Sequence, residues 1–218
     1  MITTNYGSLN NRGIEVEVKV QVMPKRSELQ WELGFNASHV KTKIRKLPEN
    51  GVERNRVGGY YAWNPEINDY DWVGGLQEGG RIGDLFAWKS LGIYATDEEA
   101  KADPVVDMMD PYEDKTKYGG DTRWYDADGN GQIDEKDICY MGNTYPKWTG
   151  GISSSWSWKN FDLYLRMDYM TGHTIFNEQK IFLCGRWAGN LNIPQEMIDK
   201  SWKKQGDIAA LPVYIPNE

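Results

Sequence analysis

Residues 13–22 read GIEVEVKVQV, and the fold turns on this stretch. Ile14, Val16, Val18, Val20 and Val22 fall on one side of an extended chain, and Glu15, Glu17, Lys19 and Gln21 fall on the other. Successive side chains of a strand point to opposite faces, so an unbroken period of two predicts a strand with one apolar and one polar side. MPKRSE follows as a short turn containing a proline. Next, Leu29, Trp31, Leu33, Phe35 and Ala37 alternate with Gln30, Glu32, Gly34, Asn36 and Ser38. This reads as a second strand, the antiparallel partner of the first.

The alternation stops near Lys41 and resumes near Gly151. There Ile152, Ser154, Trp156 and Trp158 share a side, Lys159-Asn160 reads as a tight turn, and Phe161, Leu163, Leu165, Met167 and Tyr169 alternate with polar neighbours. Two hairpins with short turns at one end therefore flank a long excursion at the other. Strands of about ten residues span a bilayer when tilted. Short turns at one end and long loops at the other suit an outer-membrane barrel. Soluble antiparallel sheets alternate in the same way, so a β-sandwich with long loops fits the pattern too. On the barrel reading the Ile14–Val22 side meets lipid and the Glu15–Gln21 side meets the lumen. Trp31, Trp156, Trp158 and Tyr169 are then girdle candidates.

The excursion is rich in Gly, Pro, Asn, Asp and Tyr. Residues 97–102 and the stretch IPQEMIDKSWKKQG read as short helices, and DIAALPVYIPNE as coil. Within the excursion, residues 126–137 read DADGNGQIDEKD. Asp126, Asp128 and Asn130 hold positions 1, 3 and 5 of a twelve-residue loop, Gly131 position 6, Gln132 position 7, Asp134 position 9 and Asp137 position 12. This is the oxygen-donor spacing of an EF-hand-type calcium loop, with Gln132 offering its backbone carbonyl. Position 12 is Asp rather than Glu, which weakens bidentate closure. The flanks DTRWY and ICYMGN lack helical periodicity, so the expectation is a calcium staple without the helix pair. A metal-free acidic turn is the alternative.

Tyr60, Tyr61, Trp63, Tyr70 and Trp72 cluster in a glycine-rich segment. Aromatic faces stack on sugar rings and apolar peptide groups, which makes Tyr60, Tyr61, Trp63 and Trp72 substrate-binding candidates. Packing of the loop against itself is the other reading.

The chain has 218 residues, enough for one or two domains, and a formal charge of −7, which argues against nucleic acid as a partner. Its 10 Trp, 13 Tyr and 23 Gly suit strands and turns. The two cysteines, Cys139 and Cys184, lie in no metal-type spacing, and sequence leaves their pairing open. No apolar run reaches the length of a transmembrane helix, but barrel strands leave no such run. The start MITTNYGSLNN lacks the features of a signal peptide. His39 and His173 stand apart from any nucleophile setting, and VGGLQEGGRIG lacks the lysine of a phosphate loop, so no enzyme is expected.

Several stretches in order resemble the SusC/RagA family of TonB-dependent outer-membrane transporters: NYGSLNNRGIEVEVKV, WELGFNASHVKTKIRKL, IGDLFAWKSLGIYATDEEA, the block from GGDTRWYDADGN through FDLYLRMDY, and SWKKQGDIAALPVY. The resemblance covers nearly the whole chain. It implies an all-β fold of antiparallel strands from a large barrel of about 22 strands, closed by a plug, with long extracellular loops. It further implies an outer-membrane location, uptake of an oligosaccharide or peptide, a SusD-like lipoprotein over the external face, and energy from the TonB system acting on the plug.

No plug, TonB-contacting segment or terminal aromatic strand is visible. Residues 1–218 are therefore expected to be a C-terminal fragment of the barrel or a truncated product, a partial barrel only. Its expected parts are a strand hairpin over 11–41, an external loop over 42–147 carrying the calcium-type loop 126–137, a strand hairpin over 148–171, and an external loop over 172–218. A secreted, calcium-stabilised carbohydrate-binding β-module is the alternative from another class, and a piece of a glycoside hydrolase is a third.

Overall fold

The computed structural model describes residues 7–110, 113–184 and 192–214, without the side chains of 182–184. The first six residues, the final IPNE and the side chain of Cys184 lie outside it, and with them the question of a Cys139–Cys184 pair. In chain order the elements are β1 (Ser8–Gln21), β2 (Leu29–Lys46), β3 (Tyr60–Asn64), β4 (Asp69–Val73), β5 (Asp84–Ala87), β6 (Ser90–Ile93), α1 (Asp97–Ala102), β7 (Val106–Asp107), β8 (Thr122–Trp124), β9 (Gln132–Ile133), β10 (Cys139–Asn143), β11 (Trp148–Trp158), β12 (Phe161–Thr171), α2 (Glu178–Cys184) and α3 (Gln195–Lys200). The fold is antiparallel β with few and short helices. Among the described residues no helix is long and apolar enough to cross a membrane.

The chain divides into two compact units. The first is built on a four-stranded sheet in the order β1-β2-β11-β12, antiparallel throughout. Both predicted hairpins are present, and β2 pairs with β11, so the excursion joins the ends of two neighbouring strands. β2 continues past Lys41 to Lys46, opposite Ser8. Alternation persists through Lys43, before the register slips near Arg45, but the outward positions turn from apolar to basic, which hides the period. The tight turn holds Lys159 at φ 53.

The register gathers the apolar residues into rows on one face. Val20, Leu33, Ser154 and Leu165 form one row; Val18, Phe35, Ile152 and Met167 the next; Val16, Ala37, Gly150 and Tyr169 the next. On the other face Lys19, Gly34, Ser153 and Arg166 form a row beside one of Glu17, Asn36, Gly151 and Asp168. The apolar face is uncovered: Val18 is 46% exposed, Phe35 43%, Ile152 43% and Met167 67%. A soluble sandwich requires this face to be buried against a second sheet. Among the described residues nothing buries it.

Aromatic residues close the band at both ends. Toward the turns, Trp31 stacks on Trp156 with ring centroids 6.1 Å apart, and its Nε1 donates to Ser154 Oγ at 2.9 Å. Toward the excursion, His39 lies 4.9 Å from the ring of Trp148 and donates from Nδ1 to the Lys147 carbonyl at 2.5 Å. Leu29 to His39 covers about 33 Å along the strand, or about 23 Å at a tilt of about 45°. That matches the apolar band of an outer-membrane barrel, about 25 Å tall. Tyr169 belongs to the row next to His39, and its ring lies over Gly150, where a Cβ would approach the phenol oxygen to 2.6 Å.

The second unit holds residues Gly59–Val73, Phe86–Met141 and Ile175–Glu218. Most of the excursion lies here, and it is not wholly irregular. β3 pairs with β4, β6 with β8, and β7 runs parallel to β9. Its interior is small, with Ala62, Tyr94, Ala100, Ile133, Ile138 and Met197 buried. α1 begins at Thr96, whose side chain accepts from the Glu99 amide at 3.1 Å. α1 and α3 fall where the sequence places short helices.

Candidate functional site

The acidic loop and the aromatic ribbon, 58 residues apart between Tyr70 and Asp128, form one structure within the second unit. The loop is shaped by its own side chains. Asp126 accepts from the amides of Gly129 and Gly131, each at 2.8 Å, and Asp128 accepts from the Asn130 amide at 3.0 Å. Asn130 accepts from the Gln132 amide at 2.7 Å. Gly129 and Gly131 take φ of 73 and 82, the left-handed region where glycine carries no Cβ penalty. Beyond the turn, Gln132–Ile133 is anchored as β9, with Val106 N donating to Gly131 O at 2.9 Å and Met108 N to Ile133 O at 3.0 Å.

The loop ends in a single 3-10 turn, Glu135–Asp137, closed by a capping box. Asp134 Oδ1 accepts from Lys136 N at 2.6 Å, and Asp137 Oδ2 accepts from Asp134 N at 2.8 Å. Asp137 Oδ1 reaches back to Ala127 N at 2.8 Å, tying position 12 to position 2.

Three of the four predicted carboxylates converge. One carboxylate oxygen from each of Asp126, Asp128 and Asp137 lies within 4.8 Å of the others. Asp137 is fully buried. Burial pushes its carboxyl above the ordinary range, and the charges of Asp128 and Asp126 add to the shift. Burial raises Asp128 as well, but hydrogen bonds from Tyr70 and Asn130 outweigh it and hold that carboxyl below the ordinary range. Asp134 stands outside the trio, capping the following turn. Its backbone carbonyl accepts from Trp88 Nε1 at 2.8 Å.

The aromatic ribbon is β3 with β4, paired Tyr61 to Trp72 and Trp63 to Tyr70. Tyr61, Trp63, Tyr70 and Trp72 share a face, with ring centroids 5.4 to 5.9 Å apart. Tyr60 falls on the opposite face of the ribbon. Tyr70 donates its hydroxyl to Asp128 Oδ2 at 2.5 Å, and Lys136 Nζ lies 5.5 Å from the centroid of the same ring. The bond to Asp128 raises the phenol to about 12. A cleft of about 550 Å³ lies between Tyr60, Tyr61 and Trp72 on the ribbon and Asp134, Glu135 and Lys136 on the loop's exit turn. Three of the four predicted aromatic binding residues line it; Trp63 does not. Tyr70, absent from both predicted site sets, is the residue that joins them. Its place in the aromatic run was visible, but its acidic partner was not.

No protein-family model matches the chain. It is 24% identical over 241 residues to TonB-dependent receptor P39 of Formosa agariphila, a match covering 97% of this chain and 21% of that receptor. It is 27% identical over 176 residues to TonB-dependent receptor P3 of the same organism, covering 79% of this chain and 16% of that one. The chain thus spans about a fifth of the length of these curated relatives. Both matches support a TonB-dependent receptor relationship. An open antiparallel sheet with one lipid-compatible face is the fold such a relationship calls for.

Proposed function

We propose that this chain supplies barrel wall and external loops to an outer-membrane importer of the SusC/RagA type. In this reading the receptor takes up an oligosaccharide or peptide, a SusD-like lipoprotein covers its external face, and the TonB system drives transport through a plug. The observation that supports it most is the uncovered apolar face of the β1-β2-β11-β12 sheet, backed along the same strands by a polar face. Alternating lipid-facing and lumen-facing residues are what a barrel wall needs. The reading includes no catalytic step.

Calcium belongs to the same proposal. The donor set is hard oxygen: the side chains of Asp126, Asp128, Asn130, Asp134 and Asp137, and the carbonyl of Gln132. The fit rests on three carboxylates drawn together, one of them fully buried. Like charges at that spacing repel, and a divalent cation offsets the repulsion. Such an ion would lock the loop on which the Tyr70 ribbon rests. The Tyr60, Tyr61 and Trp72 cleft, with Trp63 beside it on the ribbon, is the proposed place for cargo contact.

The test is purification of the whole receptor from outer membranes, together with deletion of its reading frame. A SusD-like lipoprotein should co-purify, and the deletion strain should lose growth on one class of oligosaccharide or peptide. A receptor that purifies alone, from a strain whose deletion grows equally on every such source, contradicts the proposal.

A further inference from the structure

Beyond the Ile14–His39 pair the outward face of β1 and β2 changes character. Arg12 stands opposite Lys41, and Asn10 opposite Lys43, on the same face as Ile14, Val16 and Val18. The register then slips, setting Lys46 opposite Ser8, and Arg45, at the slip, lines the same groove as Arg12, Lys41 and Lys43. All four cations are exposed. They surround a groove of about 530 Å³ that also takes in Asn10 and Gly79. Like charges directly opposite one another destabilise a strand pair. Among the described residues none of the four makes an ion pair, although the chain carries 32 Asp and Glu against 25 Lys and Arg. The inward positions of the same stretch, Asn11 and Thr42, are uncharged.

The location narrows the ligand. The patch lies past the aromatic pair His39 and Trp148, at the end of the sheet from which the excursion leaves. In a barrel the long loops are external, so this is the headgroup level of the outer leaflet. We infer that Arg12, Lys41, Lys43 and Arg45 form a binding site for the phosphate groups of an outer-leaflet lipid. Guanidinium groups take phosphate oxygens in pairs, and ammonium groups add charge without fixed geometry. The lipid's acyl chains then lie along the Ile14–Val20 side. This inference rests on the barrel reading.

The test is native mass spectrometry of the whole receptor in detergent, offered three probes: a diphosphorylated outer-leaflet glycolipid such as lipid A, the same glycolipid without phosphate, and inorganic phosphate. The parent should retain the diphosphorylated glycolipid, and Arg12→Gln/Lys41→Gln/Lys43→Gln/Arg45→Gln should retain it at least about tenfold less. The dephosphorylated lipid should bind both proteins weakly and alike. Arg12→Lys/Arg45→Lys, which keeps the charge, should retain most of the binding. Heat-modifiable gel mobility shows that each variant is folded. Equal retention by parent and folded quadruple variant overturns the inference while leaving the barrel intact. Displacement of the glycolipid by equimolar inorganic phosphate also overturns it, because the site then serves soluble anions. A receptor that needs no detergent and retains no lipid of either kind removes the barrel reading and this inference together.

Discussion

Tyr70 on β4 donates its hydroxyl to Asp128 in the acidic loop at 2.5 Å, and this bond couples the two regions that carry chemistry in the excursion. It also holds the phenol's proton, raising Tyr70 to about 12. Because the folded value lies above the ordinary phenol value of 10.0, the contribution to stability is complete below pH 10 and fades as pH rises toward about 12. Tyr70→Phe should remove one phenol step, near pH 12, from a spectrophotometric titration. It should also speed hydrogen exchange at the Asn130 amide. Unchanged exchange would show that the ribbon does not brace the loop.

Calcium binding separates the donors by role. Asp126→Ala and Asp137→Ala should each abolish the heat of Ca²⁺ binding in calorimetry, because both belong to the converging trio. Asp134→Ala should weaken binding less, since its carboxylate already caps the Lys136 amide. Equal heats in parent and Asp137→Ala remove calcium from the account.

Asp103 is the polar hub of the region around α1. It accepts from Tyr94 Oη at 2.8 Å and Val105 N at 3.0 Å, and it pairs with Arg123 at 3.1 Å and Lys117 at 3.7 Å. Burial raises its carboxyl, yet these bonds and charges outweigh burial and hold it below the ordinary range. A depressed folded value means the stabilisation is present above the ordinary carboxylate value and is lost as pH falls through the folded one. Asp103→Asn should cost about 2 kcal/mol of local stability. Limited proteolysis of the excursion should show the loss at neutral pH, with parent and variant converging in strong acid.

The sheet tolerates no side chain at Gly150. A Cβ there would overlap the Asn36 carbonyl and the Tyr169 ring. Gly150→Val should therefore loosen β11 from both neighbours and lower the temperature at which the receptor loses its folded gel mobility. Tyr169→Phe, which keeps the ring, should change that temperature little.

The long strands were legible because period-two alternation persists wherever one face is apolar. Residues 14–22, 29–38 and 161–169 declare themselves in this way. The last turn of that logic failed at Lys41: strand β2 goes on to Lys46, but its outward residues are cations rather than aliphatics. The ribbons of the excursion run only two to five residues, too short for a period to register. In the acidic loop, spacing anticipated the approach of Asp126, Asp128 and Asp137. It did not separate Asp134, whose capping role depends on the turn that follows. The Tyr70–Asp128 bond spans separate elements, and nothing local to either residue encodes it.

The central claim is that the two faces of β1 meet different media. Spin labels placed one at a time from Ile14 to Gln21 in the membrane-embedded receptor test it most directly, through collision with oxygen and with a water-soluble nickel chelate. The account predicts high oxygen and low nickel accessibility at Ile14, Val16, Val18 and Val20, and the reverse at Glu15, Glu17, Lys19 and Gln21. Nickel accessibility that is high on both faces, or low on both, would contradict it.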